Sequence, residues 1–181
     1  TGVQTCALPI WTEVVLVDHT DVANGYAMVL PVNTIVIFVT GPGESSGLAL
    51  YDNWLKTIFT HEFAHILHLD TVEGVPAALR RIFGRVITVN GTSPWWIVEG
   101  SATYWETENT MGGRGRNPHS DMIVRAAVLE EKLPPLGTMD GFQSASPGGN
   151  TRYIFGESFL RYITDHTSDD ALRRWNHSYG A

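Results

Sequence analysis

Three short runs of β-branched and aliphatic residues near the start of the chain predict three β-strands. The runs cover residues 13–17, 26–30 and 33–39, a length and composition typical of strands. Turn residues separate them, because Asn24-Gly25 tolerates positive φ and Pro31 breaks a ladder. The pattern therefore predicts a small sheet ahead of the first helix. An edge strand of this sheet could pair with an extended substrate, or the strands could only contribute to the hydrophobic core.

Apolar residues recur at helical spacing through the rest of the chain. Helices are expected over residues 52–68 and 74–85, from Pro94 to Glu106, over 120–131, and in a last segment beginning near Tyr153. Asp52 or Asn53 would cap the first helix, and residues 86–89 suggest one further short strand. The predicted fold class is α+β: a small mixed β-sheet, an active-site helix, and a mainly helical C-terminal part.

The first helix carries the sequence His61-Glu62-Phe63-Ala64-His65, an H-E-x-x-H pattern. Histidines four apart on a helix project from one face, so both imidazoles can bind one ion. Zinc favours imidazole nitrogen, and a catalytic zinc takes three protein ligands and keeps one position for water. Glu62 is placed to act as the general base that removes a proton from that water.

The alternative is that these histidines are ordinary polar positions. The surrounding residues oppose it, because they make the helix nearly apolar all round and predict that it is buried. Buried imidazoles and carboxylates need partners, and a metal ion supplies them.

A second helix supplies the candidate third ligand, Glu99, an acid in an otherwise apolar half-turn followed by small residues. The metzincin pattern would place Gly at position 68 and His at position 71, but the chain has His68 and Thr71. His68 is expected either to support a ligand or to act as a charge at the helix C-terminus. Glu106 and Glu108 are expected to be exposed acids at the helix end.

The combination of His61, His65 and the Glu99 helix resembles the gluzincin metallopeptidases, and more narrowly the bacterial peptidase-MA-like domains. The similarity also runs through residues 61–70, 81–84, 113–116 and 121–125. The resemblance implies a zincin-like fold, with His61, His65 and Glu99 binding zinc (Zn²⁺) and Glu62 as base. It also implies an exported, longer parent protein that carries a TolB/WD40-type β-propeller.

Gluzincins place a neutral donor near the zinc to stabilise the oxyanion. Tyr153 resembles that position and is the candidate catalytic donor, Tyr104 is its competitor, and core packing is the alternative for both. Arg114 or Arg116 could hold a substrate carboxylate, or could simply keep their loop soluble. Arg80, Arg81 and Arg85 are expected to form a solvated face.

Composition and charge narrow the function classes. The 181 residues are 43% hydrophobic and 17% charged with a net charge of −7, which suits a globular domain and gives no electrostatic case for nucleic acid. No apolar run reaches the length of a membrane span. Residues 1–10, with the sole cysteine Cys6, are interpreted as a translated sequencing adapter, and residues 11–181 as the metallopeptidase domain.

The sequence thus predicts a zinc-dependent peptidase that acts on peptide or protein substrates. One alternative is a catalytically silent, zinc-stabilised interaction module of the cell envelope. Another is a zinc amidohydrolase that acts on non-protein amides with the same chemistry.

Overall fold

The computed structural model describes residues 10–43, 53–140, 146–168 and 170–180. Within these ranges the fold is α+β, with a three-stranded mixed sheet followed by six helices. The interpretation of residues 1–10 as an adapter and the capping role of Asp52 fall outside the described residues, apart from Ile10.

The three predicted strands are confirmed as β1 (Glu13–Val17), β2 (Gly25–Met28) and β3 (Thr34–Phe38). Their order in the sheet is β1-β3-β2, with β1 parallel and β2 antiparallel to β3. The central strand is the buried one, because neighbours cover both its edges and α1 covers one face. β2 is therefore an edge strand of the described sheet.

Helices build the remainder of the domain. They are α1 (Trp54–Asp70), α2 (Gly74–Phe83), α3 (Trp95–Asn109), α4 (Pro118–Leu129), α5 (Thr151–His166) and α6 (Ala171–Tyr179). Single 3-10 turns lie at Val89–Thr92, Arg114–Arg116, Leu136–Thr138 and Gly148–Asn150. The prediction that the helix beginning near Tyr153 is the last one is wrong, because α6 follows it and buries Leu172.

The short strand expected at residues 86–89 is also wrong. The segment leads instead into the first 3-10 turn, where Asn90 is fully buried. The Asn90 amide donates to the carbonyl of His68 at 2.8 Å and to Oδ1 of Asn176 at 2.6 Å. These side-chain bonds tie the segment to α1 and α6, a constraint that strand propensity does not reflect.

Helix α1 begins where expected, because Oδ1 of Asn53 accepts a hydrogen bond from the backbone N–H of Lys56 at 3.0 Å. The helix is not buried all round, however: Leu55, Phe59 and Leu67 are exposed. One face packs against the sheet and α3 while the other meets solvent. The H-E-x-x-H residues lie on the buried face.

Helix α2 departs from the expectation of a solvated arginine face. Arg80 and, just beyond the helix, Arg85 both pair with Oδ1 of Asp70, at 2.5 and 2.9 Å, and of the three arginines Arg81 alone is exposed. The ion pairs turn the polar side of α2 towards α1, so that Ile82 and Phe83 lie on the outside.

The amphipathic spacing of residues 120–131 predicts that Met122, Ile123, Ala126 and Leu129 face inward. In α4 the inward-facing residues are instead Ile123, Val124 and Ala127. Met122 and Leu129 are 55% and 82% exposed. The helix is thus rotated from the predicted orientation, because only the side that meets the α3–α5 cluster is covered.

Two apolar clusters flank the site-bearing helices. One lies between the sheet and α1 and contains Val29, Ile35, Ile37, Ile58 and Ile66. The other lies around α3, α5 and α6 and contains Trp96, Ile97, Met139, Phe155, Leu160 and Leu172. Because α1 and α3 pack directly on each other, the candidate site residues on these two helices lie between the clusters.

Helices α3 and α5 cross closely where Gly100 meets Gly156. A Cβ on Gly156 would lie 3.2 Å from Cα of Gly100 and closer still to the carbonyl oxygen of Trp96. Both obstacles are backbone atoms, which cannot rotate away. The crossing fixes α5, which carries Tyr153, against α3, which carries Glu99.

We expect Gly156→Ala to destabilise the protein by about 1–3 kcal/mol, because the clash outweighs the better helix propensity of alanine. The free energy of unfolding from urea titration measures the change. Gly137→Ala is the control, since a Cβ there would meet no atom within 4 Å. Equal stability of both variants would contradict the close crossing.

Candidate metal centre

Two histidines of α1 and one glutamate of α3 bring their polar atoms to one point. Nε2 of His61 and Nε2 of His65 lie 3.2 Å apart, and each lies 3.3 Å from Oε2 of Glu99. All three side chains are buried or nearly so. The three predicted ligands are therefore brought together in a group that could hold one metal ion.

The local structure explains this convergence. His61 and His65 are one helical turn apart on the buried face of α1, so their rings project in the same direction. Gly100, the small residue that follows Glu99, allows a close approach of α3 to α5. Glu99 consequently faces α1 while the next residue faces α5.

Oε2 of Glu99 is buried and makes no hydrogen bond within the described part of the chain. A carboxylate oxygen without a partner in a buried site is costly. Since the nearest polar atoms are the two Nε2 nitrogens, the three groups direct their lone pairs at a shared space. Such an arrangement is typical of a cation site.

Glu106 is not the exposed acid that was expected. It is fully buried, and its Oε2 accepts a hydrogen bond from Nδ1 of His61 at 2.8 Å. Glu106 follows Glu99 by seven residues, two helical turns, so both carboxylates lie on one side of α3. That seven-residue spacing is present in the sequence and is the signal that places Glu106 on the same side of the helix as Glu99.

Arg114 also forms hydrogen bonds with the Glu106 carboxylate. Its backbone N–H and its Nε both donate to Oε1, at 2.9 and 3.1 Å, and its Nη2 donates to Oε2 at 3.1 Å. Burial raises the pKa of Glu106, but Arg114 and His61 outweigh it and lower that pKa to about 2. Glu106 is thus ionised and can only accept hydrogen bonds.

The ionised Glu106 determines which nitrogen of His61 carries a proton. In the neutral ring, Nδ1 donates to the carboxylate, which leaves the Nε2 lone pair directed at Glu99 and His65. Burial and Arg114 lower the pKa of His61, whereas Glu106 and Glu99 raise it, and the net effect in the metal-free site is a pKa of about 9. Burial raises the pKa of Glu99, but His61 and His65 hold it well below its usual range.

His68 is buried and is not a ligand in the cluster. Burial and the neighbouring His65 lower its pKa to about 4, so the ring is neutral near pH 7. Of the two alternatives for His68, the positive charge at the end of α1 is wrong, because the ring is buried instead of facing solvent.

A cleft of about 660 Å³ opens onto the three convergent groups. Glu62 and Tyr153 line it, together with residues 24–27 of the β2 region. The rings of Tyr153 and His61 have centroids 6.2 Å apart. Tyr104 instead packs against the α3–α5 cluster and stacks edge-on with Trp105.

Other cleft residues were not identified from the sequence as part of a site. They include Trp54, Trp95, Asn117 and His119. His119 is exposed and lies at the rim of this cleft. All four residues lie at the start of a helix or next to it. They come together at one cleft only when the helices pack.

Comparison of the chain with protein-family models, curated proteins and solved structures found no match. No helix in the described ranges is long and apolar enough to cross a membrane. The resemblance to gluzincins therefore rests on the sequence motifs alone.

The hydrogen bond between Glu106 and His61 predicts an unusual histidine titration in the metal-free protein. Because the folded-state pKa lies near 9, His61 should remain protonated from pH 6.5 to about 9, and its stabilising charge should be lost as the pH rises through that value. NMR titration of the ring protons of the EDTA-treated protein measures this pKa.

In Glu106→Gln, the His61 pKa should fall because one of its two carboxylate partners is neutral. The ring of His177, far along the chain, provides an internal reference in the same spectra. A His61 titration near 6.5 in the wild-type protein would contradict the arrangement.

Proposed function

We propose that the protein is a zinc-dependent peptidase that uses His61, His65 and Glu99 as ligands. The observation that carries the proposal is the spacing of the three donor atoms. Tetrahedral zinc with bonds of about 2.0–2.1 Å requires ligand atoms about 3.3–3.4 Å apart. The three separations here are 3.2, 3.3 and 3.3 Å.

The donor set also favours zinc over harder cations. Two imidazole nitrogens and one carboxylate are a known catalytic zinc combination, whereas calcium and magnesium prefer oxygen ligands throughout. Three protein donors leave a fourth position, and the cleft gives solvent access to it. A structural zinc would instead be closed by four protein ligands.

When bound, the metal would acidify a water molecule and polarise the substrate carbonyl. Glu62 lines the cleft one residue from His61. We infer that Glu62 accepts the proton of the attacking water and returns it to the leaving amine nitrogen.

Tyr153 is the proposed donor to the oxyanion. Burial and the Glu99 carboxylate raise the pKa of its phenol to about 12, so the hydroxyl keeps its proton at neutral pH and can donate a hydrogen bond. Its place in the cleft supports it over Tyr104, which packs elsewhere.

The shape of the cleft supports a peptide substrate. Residues 24–27 line it, and β2 is an edge of the described sheet. Extended peptides bind such edges through main-chain hydrogen bonds, a mode that small non-protein amides lack. Trp54, Trp95 and Tyr26 add aromatic surface, which favours apolar substrate side chains.

The silent interaction module is less well supported. Metal binding alone does not require Glu62, yet this acid lies in the cleft beside the proposed ligands. The β-propeller and export remain proposals that rest on the resemblance alone.

We expect purified wild-type protein to hold about one zinc per chain after dialysis, and Glu99→Ala to lose most of it. Elemental analysis measures both contents. Glu108→Ala is the control on the same helix, because Glu108 is exposed and pairs with Arg161 at 3.0 Å. Equal zinc in Glu99→Ala and the wild type would remove Glu99 from the ligand set.

We expect Glu62→Gln to keep its zinc and to lose hydrolysis of a peptide library by at least about 100-fold in kcat, the usual contribution of a general base. Zinc content of the same preparation is the control for an intact site. An active Glu62→Gln protein would refute the base assignment, and turnover of amides but not of peptides would favour the amidohydrolase.

A further inference from the structure

The guanidinium of Arg114 lies between two groups that the proposed reaction uses. On one side it donates from Nε and Nη2 to the two oxygens of Glu106, each at 3.1 Å. On the other side its Cζ lies 4.5 Å from the centre of the Tyr153 ring. One planar cation thus contacts both the carboxylate that orients His61 and the proposed oxyanion donor.

The backbone around Arg114 holds the residue in this position. The 3-10 turn Arg114–Arg116 packs on α3 and α5. Gly113 precedes it at φ 108°, where a Cβ would lie 2.6 Å from Cα of Thr107, so only glycine fits. The backbone N–H of Arg114 itself donates to Glu106 at 2.9 Å.

We propose that Arg114 is a positioning residue that sets the orientation of the His61 imidazole and of the Tyr153 ring together. The inference rests on the proposed function, because it concerns the same site. Glu106 fixes the His61 ring only if its own oxygens are fixed, and the two-pronged guanidinium does that. The same plane supports the face of Tyr153 by a cation–π contact.

This role differs from the two that the sequence suggested for the loop. A substrate carboxylate would have to compete with Glu106 for the fork of Arg114, which already holds both carboxylate oxygens. Solubility does not explain it either, because the Arg114 side chain is only 19% exposed. Arg116 is the neighbour with a purely structural position: it donates to the carbonyls of Thr107 and Thr110 at the end of α3.

The test compares Arg114→Gln, Arg114→Lys and the control Arg116→Gln. We expect Arg114→Gln to weaken zinc binding by about 10–100-fold, as measured by competition with a chelator, because the support of a ligand histidine is lost. Arg114→Lys should recover part of this affinity, since an ammonium still neutralises Glu106 but has no fork or planar face. Arg116→Gln should bind zinc as the wild type does.

Kinetics on a peptide substrate test the contact between Arg114 and Tyr153. Arg114→Gln should lower kcat about tenfold or more with KM nearly unchanged, and adding Tyr153→Phe should then cost less than it does in the wild type. A raised KM with normal kcat would mean that Arg114 binds substrate. Additive losses, or equal losses in Arg116→Gln, would mean general loop support. Each of these three results would overturn the proposal.

A readout without turnover separates this inference from the proposed function. In the cobalt-substituted protein, tyrosine ring protons that disappear in Tyr153→Phe report the position of that ring relative to the metal. Their paramagnetic shifts should change in Arg114→Gln and not in Arg116→Gln. Unchanged shifts together with unchanged zinc affinity would refute the role of Arg114, even if the protein hydrolyses peptides. A wild type that turns over no peptide, with shifts that change as expected, would refute only the peptidase.

Discussion

A buried carboxylate oxygen between two imidazoles is the constraint on which the rest of the site depends. Oε2 of Glu99 has no hydrogen-bond partner in the described residues and lies 3.3 Å from two ring nitrogens. A cation must neutralise such an oxygen, because burial of a lone charge is costly. In the metal-free protein a proton on His61 serves, and Glu106 together with Glu99 raises the pKa of that imidazole. A zinc ion in the proposed site would replace that proton, so that metal binding and proton release are linked.

Glu106, the second buried carboxylate of α3, links His61 to further residues. Glu106 accepts from Nδ1 of His61 and is itself held by Arg114, whose guanidinium lies against Tyr153. Because Glu106 is fully buried, removal of Arg114 would leave its charge without the main cation that neutralises it. Ligand orientation and the environment of the tyrosine therefore depend on the same loop after α3.

The sequence by itself identified three groups, His61, His65 and Glu99, that the structure brings together in a cluster able to hold a metal ion. Histidines four residues apart must share a face of any helix they form, and the intervening Glu62 must lie beside them. The strands and α1, α3 and α5 followed from local periodicity, which depends only on residues close in the chain. Glu99 could be inferred because an acid within an apolar half-turn needs a buried partner.

Tertiary structure alone decided which other side chains reach the site. The spacing of seven residues places Glu106 on the same side of α3 as Glu99, but the residues along α3 do not reveal that His61 lies opposite. Arg114 joins Glu106 from a separate turn, and His68 turns inward because α6 and Asn90 cover it. Pairings between distant segments depend on how helices pack and rotate about their axes. That information resides in contacts among many residues, and no single window of the sequence contains it.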